Sequence, residues 1–237
     1  MDKKIEIAID NISLIKSVIE KTQEDFSRVS SYFIWIGIVN AGTWFLEQMT
    51  YLVRNAAGYG YWMVDVLSMG TRLFCLIGYV FLFALFYRKI KTTNNEVSEG
   101  MIKIWGIVLI GSRILSFLYI SLIPSGNSDK IITLWRCREL IEFLPVIFAL
   151  FMTGILAGKK IVTTFTAIYS IIYFILFMSM KEIPYGTWGG VGTLTSVSNI
   201  CMKCLMIFGM IALGLFLKTG AGNHGNKCNT GSVSDEA

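Results

Sequence analysis

Long apolar runs separated by short polar breaks are the most regular pattern in the chain. Six runs stand out, at Tyr32–Val53, Val64–Phe86, Ile102–Ile123, Ile131–Ala157, Ile161–Met180 and Val191–Leu217. Each is near or above the ~20 residues a helix needs to cross ~30 Å of hydrocarbon. The breaks between them, such as Pro124–Asp129 and Lys181–Gly186, are too short to hold a folded domain. The expected fold is all-α, a polytopic bundle of six transmembrane helices over residues 32–217, with all the chemistry inside the bundle.

A second periodicity precedes the first run. Residues 2–31 contain no Gly or Pro, and Ile5, Ile12, Ile19 and Phe26 recur every seven positions with Ala8, Ile15, Thr22 and Val29 as companions. Four heptads of this kind predict an amphipathic helix over residues 1–31 able to enter a coiled coil. Its five basic and six acidic residues form no polybasic face for a lipid surface. The expected contact is therefore protein, a homodimer or a partner membrane subunit, rather than the membrane or the bundle's own end. Residues 218–237 are Gly, Asn and Ser with almost nothing to bury, which predicts a disordered tail.

Composition sharpens the class. Apolar residues make up 54% of the 237, charged residues 16%, and the mean hydropathy is +0.60. A soluble domain carries about 25% charged residues. A disordered chain, a nucleic-acid binder and an ordinary soluble enzyme are excluded, and the lipid bilayer is the first expected partner. The net charge of +5 reflects where the lysines sit: twelve Lys and Arg fall on one side of the six runs and three on the other. That bias predicts cytoplasmic N- and C-termini. A Lys-, Ile- and Asn-leaning composition suggests a bacterial plasma membrane. Residues 1–30 are amphipathic and charged, unlike a secretory leader. Trp62, Trp135 and Trp188 are expected at the outer boundary, and Trp35 and Trp105 at the inner one.

Several chemistries lose their ligands at once. The only histidine, His224, lies in the tail, which excludes a bis-histidine haem or an HExxH zinc helix within the spans. Cys201-Met-Lys-Cys204 has CxxC spacing but no second ligand pair, so the cysteines read as packing residues. Gly186–Gly192 lacks the GK[ST] ending of a phosphate loop and reads as a turn into the sixth span. Gly154-x-x-x-Gly158 has the spacing of a close helix contact or dimer face. No metal, cofactor or catalytic set is implied. Glu139 and Glu142 could act as acid and base, but no nucleophile accompanies them.

The informative feature is charge inside the membrane. Glu47, Asp65, Arg72, Arg113, Arg136, Arg138, Glu139, Glu142 and Lys203 all fall within the runs. A charge at a helix centre costs roughly 2.5–3.5 kcal/mol on the insertion scale, so they must be paired, hydrated or near an interface. At ~1.5 Å per residue, most lie about 9–18 Å from the outer end of their spans. Asp65 and Arg136 are shallower. Shared helical faces join Asn40 to Glu47, Asp65 to Arg72, Arg138 and Glu139 to Glu142, and Asn199 to Lys203. Thr166, Tyr169, Ser170 and Tyr173 give the fifth span a hydroxyl face. The simplest arrangement turns these faces into one polar cavity that opens outward. Glu47, Arg72, Arg113, Arg138, Glu139, Glu142, Asn199 and Lys203 are then the candidate ligand-binding residues, with Glu47 and Glu139 as candidate neighbours of Arg72.

Such a cavity suits a small-molecule or ion transporter, or its substrate-binding subunit, with an anionic or zwitterionic ligand. The alternative is a non-enzymatic sensor, immunity-type or assembly partner that works through its N-terminal helix, with the charges structural. In span number and size the chain is similar to the small six-span substrate-binding subunits of vitamin importers, a likeness of architecture that carries over no residue.

Overall fold

A computed structural model of the protein describes residues 3–57, 62–92, 95–121, 128–179, 181–185 and 193–222. The heptad side chains from Ile5 to Phe26, the side chain of Trp135, the loop Gly186–Gly192 with Trp188, and residues 223–237 with His224 lie outside what is described.

The chain forms helices α1 (Lys3–Ala57), α2 (Trp62–Lys91), α3 (Glu96–Ser121), α4 (Ser128–Leu156) and α5 (Lys160–Met178). Strands β1 (Glu182–Tyr185) and β2 (Thr193–Ser196) follow, then α6 (Val197–Cys204), a π-helical turn over Leu205–Gly209, and α7 (Met210–Gly222). Among the described residues six helices are long and apolar enough to cross a membrane: Arg28–Arg54, Trp62–Lys91, Glu96–Tyr119, Arg136–Leu156, Lys160–Met178 and Val197–Thr219. The protein is a multi-pass membrane protein of all-α class. In lipid every backbone N–H and C=O must be satisfied within its own segment, and helices do this.

The spans form a ring in chain order. Each of α2, α3, α4 and α5 packs on its predecessor, α6 packs on α5, and the π turn and α7 close the ring against α1. One end of the ring carries Arg28, Arg88, Lys89, Lys159, Lys160 and Lys218, and the other carries the β1–β2 hairpin. In the basic half glycines bring the helices into close contact. A Cβ on Gly37 would lie 2.8 Å from the Ile207 carbonyl, one on Gly214 would lie 2.7 Å from the Ser30 carbonyl, and one on Gly106 would lie 2.2 Å from the Phe83 ring. Small residues at such seams are how membrane helices gain van der Waals contact when lipid offers no hydrophobic drive. Phe33, Ile36, Trp105 and Leu109 are buried in this half, with Phe33 and Trp105 edge to face at 5.4 Å.

Four expectations change. Trp105 is no belt residue: it is fully buried and donates its indole N–H to Thr153 Oγ1 at 2.7 Å. Gly154 makes a close helix contact, where a Cβ would lie 2.9 Å from the Thr163 amide of α5, and Gly158 marks the end of α4. Gly158 has φ 63°, and the Ala157, Gly158 and Lys159 amides cap the last carbonyls of α4 before α5 turns back over Gly154. The left-handed conformation is the one glycine adopts without a Cβ penalty. The sixth span begins at Val197, because Thr193–Ser196 pairs with Glu182–Tyr185 as an antiparallel hairpin. The N-terminal amphipathic segment is no separate helix: α1 runs unbroken for 55 residues, about 80 Å at the helical rise. It therefore continues the first span rather than lying flat along a membrane surface.

Candidate functional site: a charged cavity in the hairpin half

The close glycine seams end about halfway along the ring. Beyond them lies a cavity of about 580 Å³, running from Arg54 and Asp65 at the hairpin end to Asn40 and Cys75 at its floor. Fourteen residues of α1 separate mouth from floor, a depth of about 21 Å at 1.5 Å per residue. The structure brings all eight candidate residues, Glu47, Arg72, Arg113, Arg138, Glu139, Glu142, Asn199 and Lys203, to the wall of this one cavity. Asn40 and Tyr79 separate it from the apolar core. The Tyr79 hydroxyl donates to Asn40 Oδ1 at 2.7 Å, and the Arg113 guanidinium lies 6.0 Å from the Tyr79 ring centre.

Most of the charges have partners, within α4 and across different helices. On the α3–α4 side Glu142 accepts from Ser116 Oγ at 2.7 Å and from Arg138 Nε at 3.1 Å, and lies 3.6 Å from Arg113 Nη1. Arg138 also donates to Ser116 Oγ at 2.8 Å. Across the ring Lys203 of α6 is ion-paired to Glu47 of α1. Glu139 has no cation partner among the described residues: the Ser196 hydroxyl donates to Oε1 at 2.5 Å and the Ser198 hydroxyl to Oε2 at 2.9 Å. Ser196 also caps α6 by accepting from the Asn199 amide, so one carboxylate ties the hairpin and the start of α6 to α4.

Three polar groups break this pattern, among them Asp65 at the exposed mouth, which has no ion pair to a described residue. No hydrogen bond or ion pair joins Arg72 to another described residue, although the charges of Arg138, Glu142 and Glu47 act on it. The Tyr173 hydroxyl is buried on the cavity wall with no hydrogen-bond partner among the described residues, its ring stacked on Phe143 at 3.4 Å. A buried polar group left unpaired costs about 1–3 kcal/mol, so the Tyr173 hydroxyl calls for a partner, while the half-buried Arg72 guanidinium faces the cavity. The cations on the wall are Arg54, Arg72, Arg113, Arg138 and Lys203, the acids Glu47, Asp65, Glu139 and Glu142, for a net charge of +1.

Other expected features fall elsewhere. Arg136 leaves the cavity and donates to the Phe177 carbonyl at 2.7 Å, its guanidinium 4.9 Å from the Phe177 ring centre. On α5 only Tyr173 reaches the wall. Thr166 and Ser170 donate to carbonyls one turn back, and Tyr169 donates to the Cys201 carbonyl at 2.5 Å. Cys201 lies against the Tyr169 hydroxyl at 2.9 Å while Cys204 is exposed. Arg54 and Ser116 line the cavity without having been singled out. Arg54 reads as a loop cation by position, and Ser116 lies three residues after Arg113 on α3, a spacing that could have marked it. The chain matches no family model, no curated protein and no solved structure.

Proposed function

We propose that this protein binds a small anionic or zwitterionic molecule in the cavity, as a membrane transporter or the substrate-binding subunit of one. Arg72 is the observation that carries the reading. Arg113, Arg138 and Lys203 already sit in ion pairs, and Arg72 faces the same space with none to a described residue, only the more distant charges of Glu142 and Glu47 acting on it. Intramembrane charge is by default a functional feature, since apolar packing serves stability as well. The Lys and Arg bias supports an orientation with the basic end in the cytoplasm and the cavity open to the outside of a plasma membrane.

Thermal unfolding of the purified protein against a panel of carboxylates, phosphates and zwitterionic metabolites tests this. At least one compound is expected to raise the melting temperature. Arg72→Gln is expected to weaken its binding about ten- to a hundredfold, matching the ~1.5–3 kcal/mol of a hydrogen bond to a charged group. Arg72→Lys should keep part of it. Equal binding by parent and Arg72→Gln would refute the assignment.

A second reading is favoured by the unbroken 55 residues of α1. In that reading the protein acts through its N-terminal heptads on a second copy or a partner subunit. Removing residues 3–27 should then abolish the higher oligomer or co-purifying subunit, seen by light scattering, with anion binding unchanged. An unchanged mass would remove this reading.

A further inference from the structure

Once Glu47 is matched to Lys203, and Glu142 to Arg113 and Arg138, two charged side chains of the wall below the mouth are left: Arg72 on α2 and Glu139 on α4. Neither has an ion pair to a described residue, so they do not neutralise each other. Helix α3 packs against both α2 and α4 and stands between them. The cavity therefore presents a cation on one side and an acid on another. Both side chains are half-buried.

The Glu139 carboxylate has acceptor positions to spare. Each oxygen takes one hydroxyl, from Ser196 and from Ser198, and a carboxylate offers about four acceptor sites. Both donors are neutral, so they leave its negative charge uncompensated. The Tyr173 hydroxyl is buried on the same wall, and the charges that act on it most are the carboxylates of Glu139 and Glu142, yet it bonds to neither. A phenol oxygen accepts as well as donates, and an ammonium has three donors and no acceptor. Glu139 and Tyr173 together offer what an ammonium requires. The other acids serve it less well: Glu47 and Glu142 are already in ion pairs, and Asp65 is at the exposed mouth.

We infer that the ligand is a zwitterion, its anionic group on Arg72 and a primary ammonium on Glu139 and the Tyr173 hydroxyl. This rests on the reading of Arg72 as an anion anchor and adds the ligand's second charge with the residues that hold it. Charge inside a membrane is costly without a counter-charge, and that cost makes the match selective. A ligand of both signs compensates Arg72 and Glu139 together, whereas a plain anion leaves Glu139 as it was.

The test uses the full chain in micelles with glycine, γ-aminobutyrate and ε-aminocaproate as probes, each against the carboxylate that lacks its amine: acetate, butyrate and caproate. The three lengths sample the separation between the anchors, and titration calorimetry reads the binding. At least one amino carboxylate is expected to bind tighter than its partner by about tenfold or more, the worth of a hydrogen bond to a charged group. Glu139→Gln keeps an acceptor for the two serines and is expected to erase that preference. Tyr173→Phe keeps the ring on Phe143 and is expected to narrow the preference several-fold. Arg72→Gln should weaken both members of the pair. Carboxylates that bind through Arg72 as tightly as their amino forms, or a preference that Glu139→Gln leaves intact, overturn the zwitterion and leave the anion site standing, with Glu139 only tying the hairpin to α4. Where Glu139→Gln does not fold, Tyr173→Phe decides, and an unchanged preference overturns the assignment. No probe responding to Arg72→Gln overturns both readings.

Discussion

Glu142→Gln should be the most damaging single substitution among the cavity charges, lowering stability by about 3–5 kcal/mol, the cost of removing one member of a buried ion pair. Glu142 is 20% exposed and stands between Arg138 and Arg113, which are 20% and 29% exposed. Without it Arg113 and Arg138 lose the carboxylate they share, and Ser116 loses its acceptor. The double substitution Arg113→Gln, Glu142→Gln removes the excess charge and should recover part of the loss, with a coupling of about 0.5–3 kcal/mol for contacting residues. Unfolding titrations in mixed micelles measure both. A change within about 0.5 kcal/mol for Glu142→Gln, the range of an unremarkable surface substitution, would show that the network does not hold α3 to α4.

Gly214→Leu should damage the fold for a different reason. The added Cβ would sit 2.7 Å from the Ser30 carbonyl and 3.1 Å from the Ile34 amide, both backbone atoms of α1. Inserting bulk into a packed core costs about 1–3 kcal/mol when side chains can shift, and a clash with backbone should exceed that. The same seam holds the Ser30 hydroxyl on the Gly214 carbonyl at 2.6 Å. Because α1 and α7 close the ring, separating them should also break the Glu47–Lys203 pair, so stability and anion binding should fall together. Gly111→Leu is the control: it has open space at its Cβ and should stay within about 0.5 kcal/mol of the parent. Equal melting temperatures for the two variants would mean the α1–α7 seam is not close-packed.

The six spans were legible because long apolar runs in this composition have one physical solution. The pooling of charge was legible for a related reason: groups barred from lipid have only the bundle interior to share, so spacing along each helix was enough to bring Glu47, Arg72, Arg113, Arg138, Glu139, Glu142, Asn199 and Lys203 to one wall. Their pairing was not legible. It depends on how each helix is rotated about its axis, so Glu47 meets Lys203 and Glu139 meets two serines, leaving neither on Arg72. Hydropathy also cannot separate a β-branched strand from the start of a helix, which is why Thr193–Ser196 was counted in the sixth span. The π turn leaves no mark in an apolar run such as Leu205–Gly209. The GxxxG spacing marks a close helix contact at Gly154, against Thr163 of α5, but a glycine at a C-cap such as Gly158 has no separate signature in sequence.

A ring closed by its first and last spans has a consequence for biogenesis. Glu47 and Lys203 are 156 positions apart. At ~5–20 residues per second of translation, the lysine emerges about 8–30 s after the glutamate. Throughout that interval the first span is in place without the lysine that pairs with its acid. Only when the sixth span arrives does the nascent chain acquire its counter-ion, so a ribosome stalled before residue 203 releases a product with an unmatched carboxylate, marked for quality control.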